Sequence, residues 1–365
     1  MSKPLFSIWI SLVLVPCLFF ISSQAQNSSP STTKTHILGI MYRVNNYQKG
    51  IAGDSEGRNW KTGTWYTGVM AFYKATGDST LLQQAISWAQ NNEWKVGNEW
   101  IYPANRLTCV QTYLEIFRIR HDSTMIRDAV DYMNSQITRT EPAYLSGWDY
   151  VDALYVGAPA YAILGNITGQ KKYYDFMNRV FWEVADQLLD EDENLFYRDS
   201  EARFIEKSKN GKKVIWSRGN GWAIASLPRI LENMPDEAPA QKKYTELLGK
   251  MAASLANCQG QDGLWRCNLA DADEFPVPET SGTAFFTYAL AWGINRGILD
   301  SVRYTPVVLK AWDGLCKAVN EEGKVCWGQS VARGPGTVSE EDSGEYVSGA
   351  FLLAGSEMFQ LLSRE

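Results

Sequence analysis

Helical periodicity recurs along this chain and constrains its fold more than any other feature. Twelve segments carry apolar residues at helical spacing, and clusters of Gly, Pro, Asn and Asp separate them, whereas strand patterns are scarce. The turns 75–78, 166–169 and 295–298 are alike, since in each a glycine ends one helix and the next helix follows. The candidate helices begin near Ser31, Thr64, Ser79, Asn105, Asp122, Asp149, Gln170, Ser217, Ala238, Ser281, Ser301 and Glu345.

Twelve alternating helices predict an all-α ring of six helical hairpins, with an inner layer surrounded by an outer one. Every second helix follows a loop rich in aromatic residues or glycine, and these helices are predicted to form the inner layer. Their N-termini then open at the same end of the ring, so the unusual loops meet in one cleft. Helix dipoles favour an anion there. The predicted inner helices begin near Thr64, Asn105, Asp149, Ser217, Ser281 and Glu345.

The first residues have the pattern of a secretory signal peptide. A short positive start precedes the apolar run 5–21, and Ser23-Gln24-Ala25 forms a small-x-small cleavage site. We therefore expect a signal peptide at 1–25, a disordered polar leader at 26–34 and a single domain at 35–365. The mature protein is expected in the periplasm or outside the cell. It contains no later apolar run long enough to span a membrane.

Charge and cysteine content limit the partners. The formal net charge of −6 disfavours nucleic acid, and an anionic ligand would need a locally positive pocket. With two histidines and no zinc-ligand spacing, the sequence predicts no metal site. In an oxidising compartment Cys258 could pair with Cys267, or Cys316 with Cys326. The oligomeric state is left open between monomer and dimer.

The heptad Trp216–Trp222 (WSRGNGW) combines two indoles, one guanidinium and two glycines. Indoles offer flat faces for a sugar ring, and Arg218 offers a planar set of donors that suits a carboxylate. These residues predict a pocket for an acidic sugar. The alternative is a glycine-rich helix start whose tryptophans pack into the core.

Asp149 and Asp152 are three residues apart and share one side of a helix start. In one interpretation Asp149 is the N-cap and Asp152 lies in the first turn, where its charge complements the helix dipole. Alternatively, aromatic neighbours desolvate Asp152, which then keeps a raised pKa and serves as a general acid.

The other loops supply weaker candidates. Trp60, Trp65 and Tyr66 open the first inner helix and could line the pocket, although core packing explains them equally well. Asn105 is predicted to cap a helix and could also bind a sugar hydroxyl. Before the fifth inner helix, Ser281 resembles a cap and Glu279 is a candidate second carboxylate.

Five motifs occur in an order that resembles the unsaturated uronyl hydrolases, specifically family 105 of the glycoside hydrolases, which is related to family 88. The known activity of family 105 is unsaturated rhamnogalacturonyl hydrolase. The likeness covers nearly all of the mature chain. The motifs are NRLTCVQTYL at 105–114, WDYVDALYVGAP at 148–159, WSRGNGW at 216–222, PETSGTAFFTYALAWG at 278–293 and GAFLLAGSE at 349–357.

The resemblance implies an (α/α)6 barrel, in agreement with the predicted ring of hairpins. It implies that Asp152 is the catalytic acid and base and that Arg218 contacts the substrate, with Trp216 and Trp222 lining the site. The further candidates for substrate contact are Asn105, Trp65, Tyr66, Trp148, Glu279 and Ser281. Many relatives carry Asp where this chain has Asn105, so a site with two carboxylates is in doubt.

The implied reaction is hydration of the enol ether left by a polysaccharide lyase, with no metal or cofactor. The implied substrate is a pectin-derived rhamnogalacturonan oligosaccharide that ends in a 4,5-unsaturated galacturonyl residue. Three alternatives remain open: a hydrolase for unsaturated glucuronyl groups of other glycans, a sugar epimerase with paired histidines, and a non-catalytic carbohydrate-binding protein.

Overall fold

The computed structural model of the protein describes Met1 and residues 32–53, 56–143, 146–235 and 239–363. Apart from Met1, the predicted signal peptide lies outside the described residues, and so does the predicted leader up to residue 31. Lys34, the last residue of the predicted leader, instead begins the first helix, where the Thr33 side chain accepts a hydrogen bond from the His36 amide.

Six helices form the inner layer; in chain order the fourth and the fifth are buried along their whole length, and most residues of the other four are buried. Each packs on the next, and the last packs on the first, so that they close a ring. This arrangement confirms the predicted (α/α)6 barrel. The inner helices are α2 (Trp60–Thr76), α4 (Thr108–Arg120), α7 (Ala158–Thr168), α10 (Ser217–Leu231), α12 (Thr280–Asn295) and α14 (Glu345–Leu361).

Six amphipathic helices form the outer layer. In the fourth of them, Tyr173, Phe176, Met177, Val180 and Val184 are buried at spacings of three and four, which places one apolar face against the ring. The outer helices are α1 (Lys34–Ala52), α3 (Ser79–Asn91), α5 (Arg127–Ile137), α8 (Lys171–Leu188), α11 (Pro239–Asn257) and α13 (Ser301–Lys317).

The predicted turns have the expected geometry. Gly77 and Gly169 end α2 and α7 in the left-handed region, with φ of 73° and 67°, and Gly297 has φ of 69°. Short elements fill the loops between inner and outer helices. They are the helices α6 (Ala153–Val156) and α9 (Ser200–Phe204), the 3-10 turns Pro103–Leu107 and Ser123–Ile126, and the antiparallel strand pairs β1 (Leu189–Asp190) with β2 (Leu195–Phe196) and β3 (Trp265–Arg266) with β4 (Pro278–Glu279).

Two further predictions concern the chain as a whole. Both proposed cysteine pairings are wrong for this structure, since Cys109, Cys258, Cys267, Cys316 and Cys326 are all free thiols. Among the described residues, the structure contains no helix with the length and apolar content needed to cross a membrane.

The ring closes through glycines that let α2 and α14 come unusually near each other. A Cβ placed on Gly68 would lie 2.4 Å from the carbonyl oxygen of Gly349. A Cβ on Gly349 would lie 2.4 Å from the carbonyl oxygen of Thr64. Any side chain at either position would push two backbones apart.

We expect Gly68→Ala to lower the free energy of unfolding by about 3 kcal/mol, the upper end of the range for overpacking. The added methyl group meets backbone atoms that cannot move aside without opening the ring. Urea unfolding followed by circular dichroism measures the change. Gly39→Ala is the matched control, because Gly39 lies in α1 and no atom is within 4 Å of the place that its added methyl group would occupy. We expect this control to stabilise the protein slightly. Equal effects of the two substitutions would contradict the prediction.

Candidate active site

A cleft opens at the end of the barrel where the inner helices begin. Its volume is about 240 Å³, and its walls come from the starts of α2, α4, α6 and α10 and from the loop before α14. Five of the six unusual loops therefore meet, as the alternation of helices predicts. The lining residues are Trp60, Tyr102, Asn105, Tyr150, Asp152, Val156, Arg198, Trp216, Arg218, Trp222, Val331, Ala332 and Arg333.

Asp152 lies immediately before α6, and its carbonyl oxygen accepts hydrogen bonds from the amides of Tyr155 and Val156, both at 3.0 Å. Its side chain does not cap the helix. The Oδ2 atom is buried and has no hydrogen-bond partner among the described residues. Burial raises the pKa of Asp152, and the nearby guanidinium groups of Arg198 and Arg218 partly oppose that rise. The structure therefore favours the general-acid interpretation of Asp152 over the capping one.

Arg198 is a cleft residue that the sequence analysis missed. It follows β2, and its carbonyl oxygen accepts a hydrogen bond from the Val151 amide at 2.9 Å, which fixes it beside Asp152. Its Nε lies 3.9 Å from Asp152 Oδ2 and donates no hydrogen bond to any described residue. A terminal nitrogen pairs with Asp199.

The pKa of Arg198 reflects these neighbours. Burial lowers it, but the carboxyl groups of Asp152 and Asp199 outweigh burial and hold it above its ordinary value. Arg198 is therefore a fixed cation beside the candidate acid. The distance between Nε and Oδ2 is too long for a hydrogen bond, so both atoms are available to a ligand.

Aromatic rings form two walls of the cleft. On one side Trp60 meets Trp222 edge-on at 6.0 Å between centroids and packs on Tyr346 at 5.2 Å. On the other side Tyr102 packs on Tyr150 at 4.6 Å. The buried Nε1 of Trp222 has no hydrogen-bond partner among the described residues.

Asn105 lies in the 3-10 turn that precedes α4 and does not cap that helix, contrary to the prediction. Its side-chain oxygen accepts a hydrogen bond of 2.6 Å from the Tyr150 hydroxyl. The amide nitrogen makes no hydrogen bond with any described residue. It can therefore donate to a sugar hydroxyl, as the alternative interpretation of Asn105 requires.

Arg218 lines the cleft in its predicted place, but its donors have an unexpected use. Its two terminal nitrogens donate to the carbonyl oxygens of Gln329 and Ser330, and its guanidinium lies between the rings of Trp216 and Tyr346, at 4.6 and 5.0 Å. The residue is 1% exposed. Arg218 therefore fastens the loop that carries residues 331–333 to the cleft wall.

We expect Arg218→Lys to lower the free energy of unfolding by about 1–3 kcal/mol, because an ammonium group can neither donate to both carbonyl oxygens nor stack between the two rings as the buried guanidinium does. Urea unfolding measures the loss. Arg296→Lys is the control, since Arg296 is exposed, pairs with Glu232 at the surface and lies 5.8 Å from the Trp292 ring, so that its contacts are with side chains in solvent. Indistinguishable unfolding curves for wild type and Arg218→Lys would contradict this role.

The cleft is locally positive although the chain is acidic overall. Arg198, Arg218 and Arg333 line it, whereas Asp152 is the only carboxylic acid among its described lining residues. With Asp152 neutral, the lining carries three positive charges and no negative one. This is the positive pocket that a chain with a net charge of −6 needs in order to bind an anion.

Two aromatic candidates at the start of α2 do not line the cleft. Trp65 is fully buried, and its Nε1 donates to Asn45 of α1 at 3.0 Å. Tyr66 stacks on Trp88 of α3 at 4.0 Å, on the side of α2 that faces the outer layer. They follow Trp60 by five and six residues, about one and a half helical turns, so they lie on the opposite side of α2 and face the outer helices. For both residues, core packing is the interpretation that their positions support.

Trp148 also lies behind the cleft. Its ring packs against Tyr161 and Phe176, at 6.4 and 6.0 Å between centroids, and covers the turn at Gly157. A Cβ at Gly157 would lie 2.5 Å from this indole. Trp148 therefore supports the corner from which Asp152 projects, and its position does not support a direct contact with substrate.

Glu279 takes the capping role predicted for Ser281, and neither residue reaches the cleft. Glu279, not Ser281, caps α12, because its carboxylate accepts hydrogen bonds from the amides of Ser281 and Gly282 at 2.9 and 2.7 Å. It also accepts from the Gln329 amide at 3.2 Å. Both residues are fully buried and do not line the cleft. Glu279 is thus a structural carboxylate, and the described lining of the cleft does not contain two carboxylic acids.

The ring of six helical hairpins, with the cleft at one end, is the fold of the six-hairpin class of glycosidases. None of the described residues form a cluster of His, Cys, Asp and Glu that could hold a metal ion. The chain belongs to Glycosyl Hydrolase Family 88, whose family model matches residues 37–362. The motifs alone point to the related family 105, whereas the model that matches is that of family 88.

Similar proteins agree with this assignment. An unsaturated 3S-rhamnoglycuronyl hydrolase from Alteromonas sp. (strain LOR) is 36% identical over 82% of this chain and 77% of its own length. An enzyme of the same name from Formosa agariphila is 32% identical over 83% of this chain and 85% of its own. The solved structure of a family 88 glycosyl hydrolase from Bacteroides vulgatus is 31% identical, with a TM-score of 0.85 over 90% of this chain and 99% of the other.

Proposed function

We propose that this protein removes a 4,5-unsaturated uronyl residue from the non-reducing end of oligosaccharides made by a polysaccharide lyase, and that rhamnose is the neighbouring sugar. Family membership supports hydrolysis of an unsaturated uronic acid. One observation carries the assignment to this cleft. Its lining contains three buried polar atoms that have no hydrogen-bond partner among the described residues: Asp152 Oδ2, Arg198 Nε and Trp222 Nε1. Buried groups of this kind call for a partner, and a bound polar ligand supplies one.

The acid form of Asp152 suits the first step of hydration. The O–H bond breaks as the double bond takes the proton at C4, and the ring oxygen stabilises the cation that develops at C5. Water then adds at C5 and returns a proton to the Asp152 carboxylate, which restores the acid. One residue therefore acts first as general acid and then as general base.

The product of hydration decomposes without further help from the protein. The hemiketal at C5 opens to a ketone and leaves a hemiacetal at C1. That hemiacetal expels the neighbouring sugar, so the glycosidic bond breaks although no group attacks C1. This differs from ordinary glycoside hydrolysis, in which two carboxylates act at the anomeric carbon, and it accords with a cleft whose described lining includes one carboxylic acid.

The carboxylate of the uronyl residue is assigned to Arg198. Both terminal nitrogens of Arg218 already donate to backbone carbonyl oxygens. In contrast, Arg198 Nε has no hydrogen-bond partner among the described residues and lies 3.9 Å from Asp152 Oδ2. A carboxylate oxygen that accepts from Arg198 brings C5 and C4 of the same ring close to the acid. The charge-assisted hydrogen bond also fixes the ring orientation.

The identity of the substrate depends on the sugar beyond the cleaved residue. In the unsaturated ring C4 and C5 are both trigonal, so galacturonate and glucuronate, which differ at C4, give the same residue. The similar enzymes are named unsaturated 3S-rhamnoglycuronyl hydrolases, which favours a 3-sulfated rhamnose next to it. The five sequence motifs favour pectin-derived rhamnogalacturonan as the second candidate. Both candidates place rhamnose in the neighbouring position.

Loss of ultraviolet absorbance tests the proposal, because hydration destroys the conjugated double bond. The panel consists of unsaturated uronyl disaccharides with rhamnose, sulfated rhamnose and a glycosaminoglycan hexosamine as the second sugar. We expect turnover of the rhamnose-linked members. A protein that binds them without loss of absorbance would be a carbohydrate-binding protein, and retention of the double bond in all of them would refute the proposed function.

The epimerase alternative and the location of the reaction remain to be considered. The epimerase alternative needs paired histidines, and the described lining residues of the cleft include none. The predicted signal peptide supports export, so we propose that the reaction takes place in the periplasm or outside the cell.

A further inference from the structure

A second cavity lies at the opposite end of the barrel from the cleft, where the inner helices finish. We call it the distal cavity; Lys74 of α2, Arg118 of α4, Arg229 of α10, Tyr288 of α12 and Glu357 of α14 belong to its lining. Its volume of about 320 Å³ falls within the range of about 300–1,000 Å³ that is usual for ligand pockets. The two sets of described lining residues have no member in common, so the distal cavity is separate from the cleft.

Three cations of the distal cavity surround one buried carboxylate. Glu115 is 5% exposed, and its Oε1 atom accepts hydrogen bonds from Lys74 at 2.9 Å and from Arg229 at 3.1 Å. Burial acts to raise the pKa of Glu115, but the charges of Lys74, Arg229 and Arg118 outweigh it and lower the pKa below its ordinary value. Glu115 is therefore ionised, and it balances one of the three positive charges.

The other charged residues of the lining leave a positive excess. Arg296, a fourth cation, pairs with Glu232 at 2.8 Å, and Glu357 accepts a hydrogen bond from the Asn295 amide at 2.7 Å. With Glu115 included, the described part of the cavity has four cations and three carboxylates. Basic residues near helix C-termini also complement the helix dipoles, but this effect does not require a guanidinium group to be buried.

Several donors of the distal cavity are not used within the described part of the chain. Arg229 is buried and donates to Gln111 and Glu115, but its second terminal nitrogen makes no hydrogen bond with any described residue. The Nε atom and one terminal nitrogen of Arg118 are in the same position. Tyr288 is also buried, and its hydroxyl has no partner among the described residues. Burial raises the pKa of Tyr288 well above its ordinary value, so this hydroxyl keeps its proton. Buried donors of this kind call for an acceptor.

We propose that the distal cavity is a second ligand site, which binds a small sugar acid. Arg118 and Arg229 donate to its carboxylate, because guanidinium groups match the oxygens of that group in shape and charge. Tyr288 donates to an oxygen of the sugar. The Oε1 atom of Glu232 accepts from Trp292 and Arg296, whereas its Oε2 accepts from no described residue and is available to a sugar hydroxyl. The site does not depend on the proposed hydrolysis.

Calorimetry on the Arg198→Gln variant tests the distal cavity, because this substitution removes the cleft cation that is assigned to a uronate carboxylate. Glucuronate, glucose and acetate are the three ligands. Glucose lacks the carboxylate, and acetate lacks the hydroxyl groups. We expect glucuronate to bind, and we expect each of the other two to bind at least about tenfold more weakly, because each loses one kind of hydrogen bond.

Tyr288→Phe, made in the same protein, is expected to weaken glucuronate binding about fivefold, the effect of one neutral hydrogen bond. The substitution removes no hydrogen bond within the described part of the chain, so the fold should be unaffected. Tyr304→Phe is the matched control. Tyr304 is equally buried, and its hydroxyl also makes no hydrogen bond with any described residue, but it lies on the outer helix α13.

Arg118→Gln is expected to weaken glucuronate binding by about 10- to 100-fold, because the ligand carboxylate loses a charged partner. Arg120→Gln is the matched control, since Arg120 lies two residues further along α4, is exposed and is absent from the described lining. Circular dichroism checks that each variant is folded. Increasing salt should weaken glucuronate binding more than glucose binding, because salt screens charges.

The inference fails if glucuronate does not bind the Arg198→Gln protein, if glucose or acetate binds it as tightly, or if Tyr288→Phe leaves the affinity unchanged. Its failure is distinguishable from that of the proposed function, which is measured separately as loss of absorbance by the wild-type protein. Glucuronate binding that depends on Tyr288 in a protein without turnover would support the distal site and refute the hydrolase. Turnover without any such binding would support the hydrolase and refute the distal site.

Discussion

Asp152→Asn is expected to lower kcat/KM for unsaturated uronyl disaccharides by about 10⁴-fold, the upper end of the effect of one general acid–base group. The amide has the same shape as the carboxyl group but can neither deliver a proton to C4 nor accept one from the attacking water. Because a single residue serves both steps, no second carboxylic acid among the described lining residues compensates for it. Loss of ultraviolet absorbance at low substrate concentration gives kcat/KM directly.

The fold should survive this substitution. The Asp152 side chain caps no helix, and its Oδ2 has no hydrogen-bond partner among the described residues. Replacing the carboxyl group with an amide therefore removes no hydrogen bond at that atom within the described part of the chain. Asp149→Asn is the matched control, since Asp149 is three residues away and does not line the cleft. We expect its kcat/KM to stay close to that of wild type. An Asp152→Asn protein that keeps the activity of wild type to within about one order of magnitude would remove Asp152 from the mechanism.

Arg198→Gln is expected to raise KM by about 10- to 100-fold, which corresponds to the loss of one hydrogen bond between charged groups. The substituted amide can still donate a hydrogen bond, but it carries no charge to match the uronate carboxylate. Initial rates over a range of substrate concentrations separate KM from kcat. Arg203→Gln provides the control, because Arg203 belongs to the same loop region and does not line the cleft.

The same variant should change the dependence of activity on pH. Burial raises the pKa of Asp152, and Arg198 is the first of the groups that lower it again. Removing this cation therefore raises the pKa further. Since the protonated acid is the active form, activity is retained below the pKa and lost as pH rises through it. The basic limb of kcat/KM should move to higher pH in Arg198→Gln, and a shift to lower pH would contradict the assigned acid form.

Much of the fold could be predicted because local signals repeat. The glycines at positions 77 and 169 mark helix ends that the structure places in the left-handed region, and alternation of plain and aromatic loops sorts inner from outer helices. Asp152 could be found for the same reason, since it precedes an inner helix within a distinctive motif.

The remaining parts of the site depend on contacts between distant segments. Arg198 lies in an irregular stretch after β2, and the hydrogen bond from the Val151 amide brings it to Asp152. Its one local signal is an arginine within an aromatic segment at 195–199. Trp65 and Tyr66 show the reverse problem, because the aromatic sequence around them suggests a site whereas they lie on the side of α2 that faces away from the cleft. Which side of a helix faces the cleft is decided by the packing of the whole ring.

The glycine contact between α2 and α14 also sets the order in which the molecule can be completed. These helices lie far apart in the sequence, so almost the whole barrel must be synthesised before α14 can pack against α2. Until then the apolar sides of α2 and α12 have no neighbour in the gap that α14 fills. The barrel is therefore expected to form slowly and only after synthesis, as contacts between remote segments require. Until then we expect chaperones to shield the exposed apolar sides of α2 and α12.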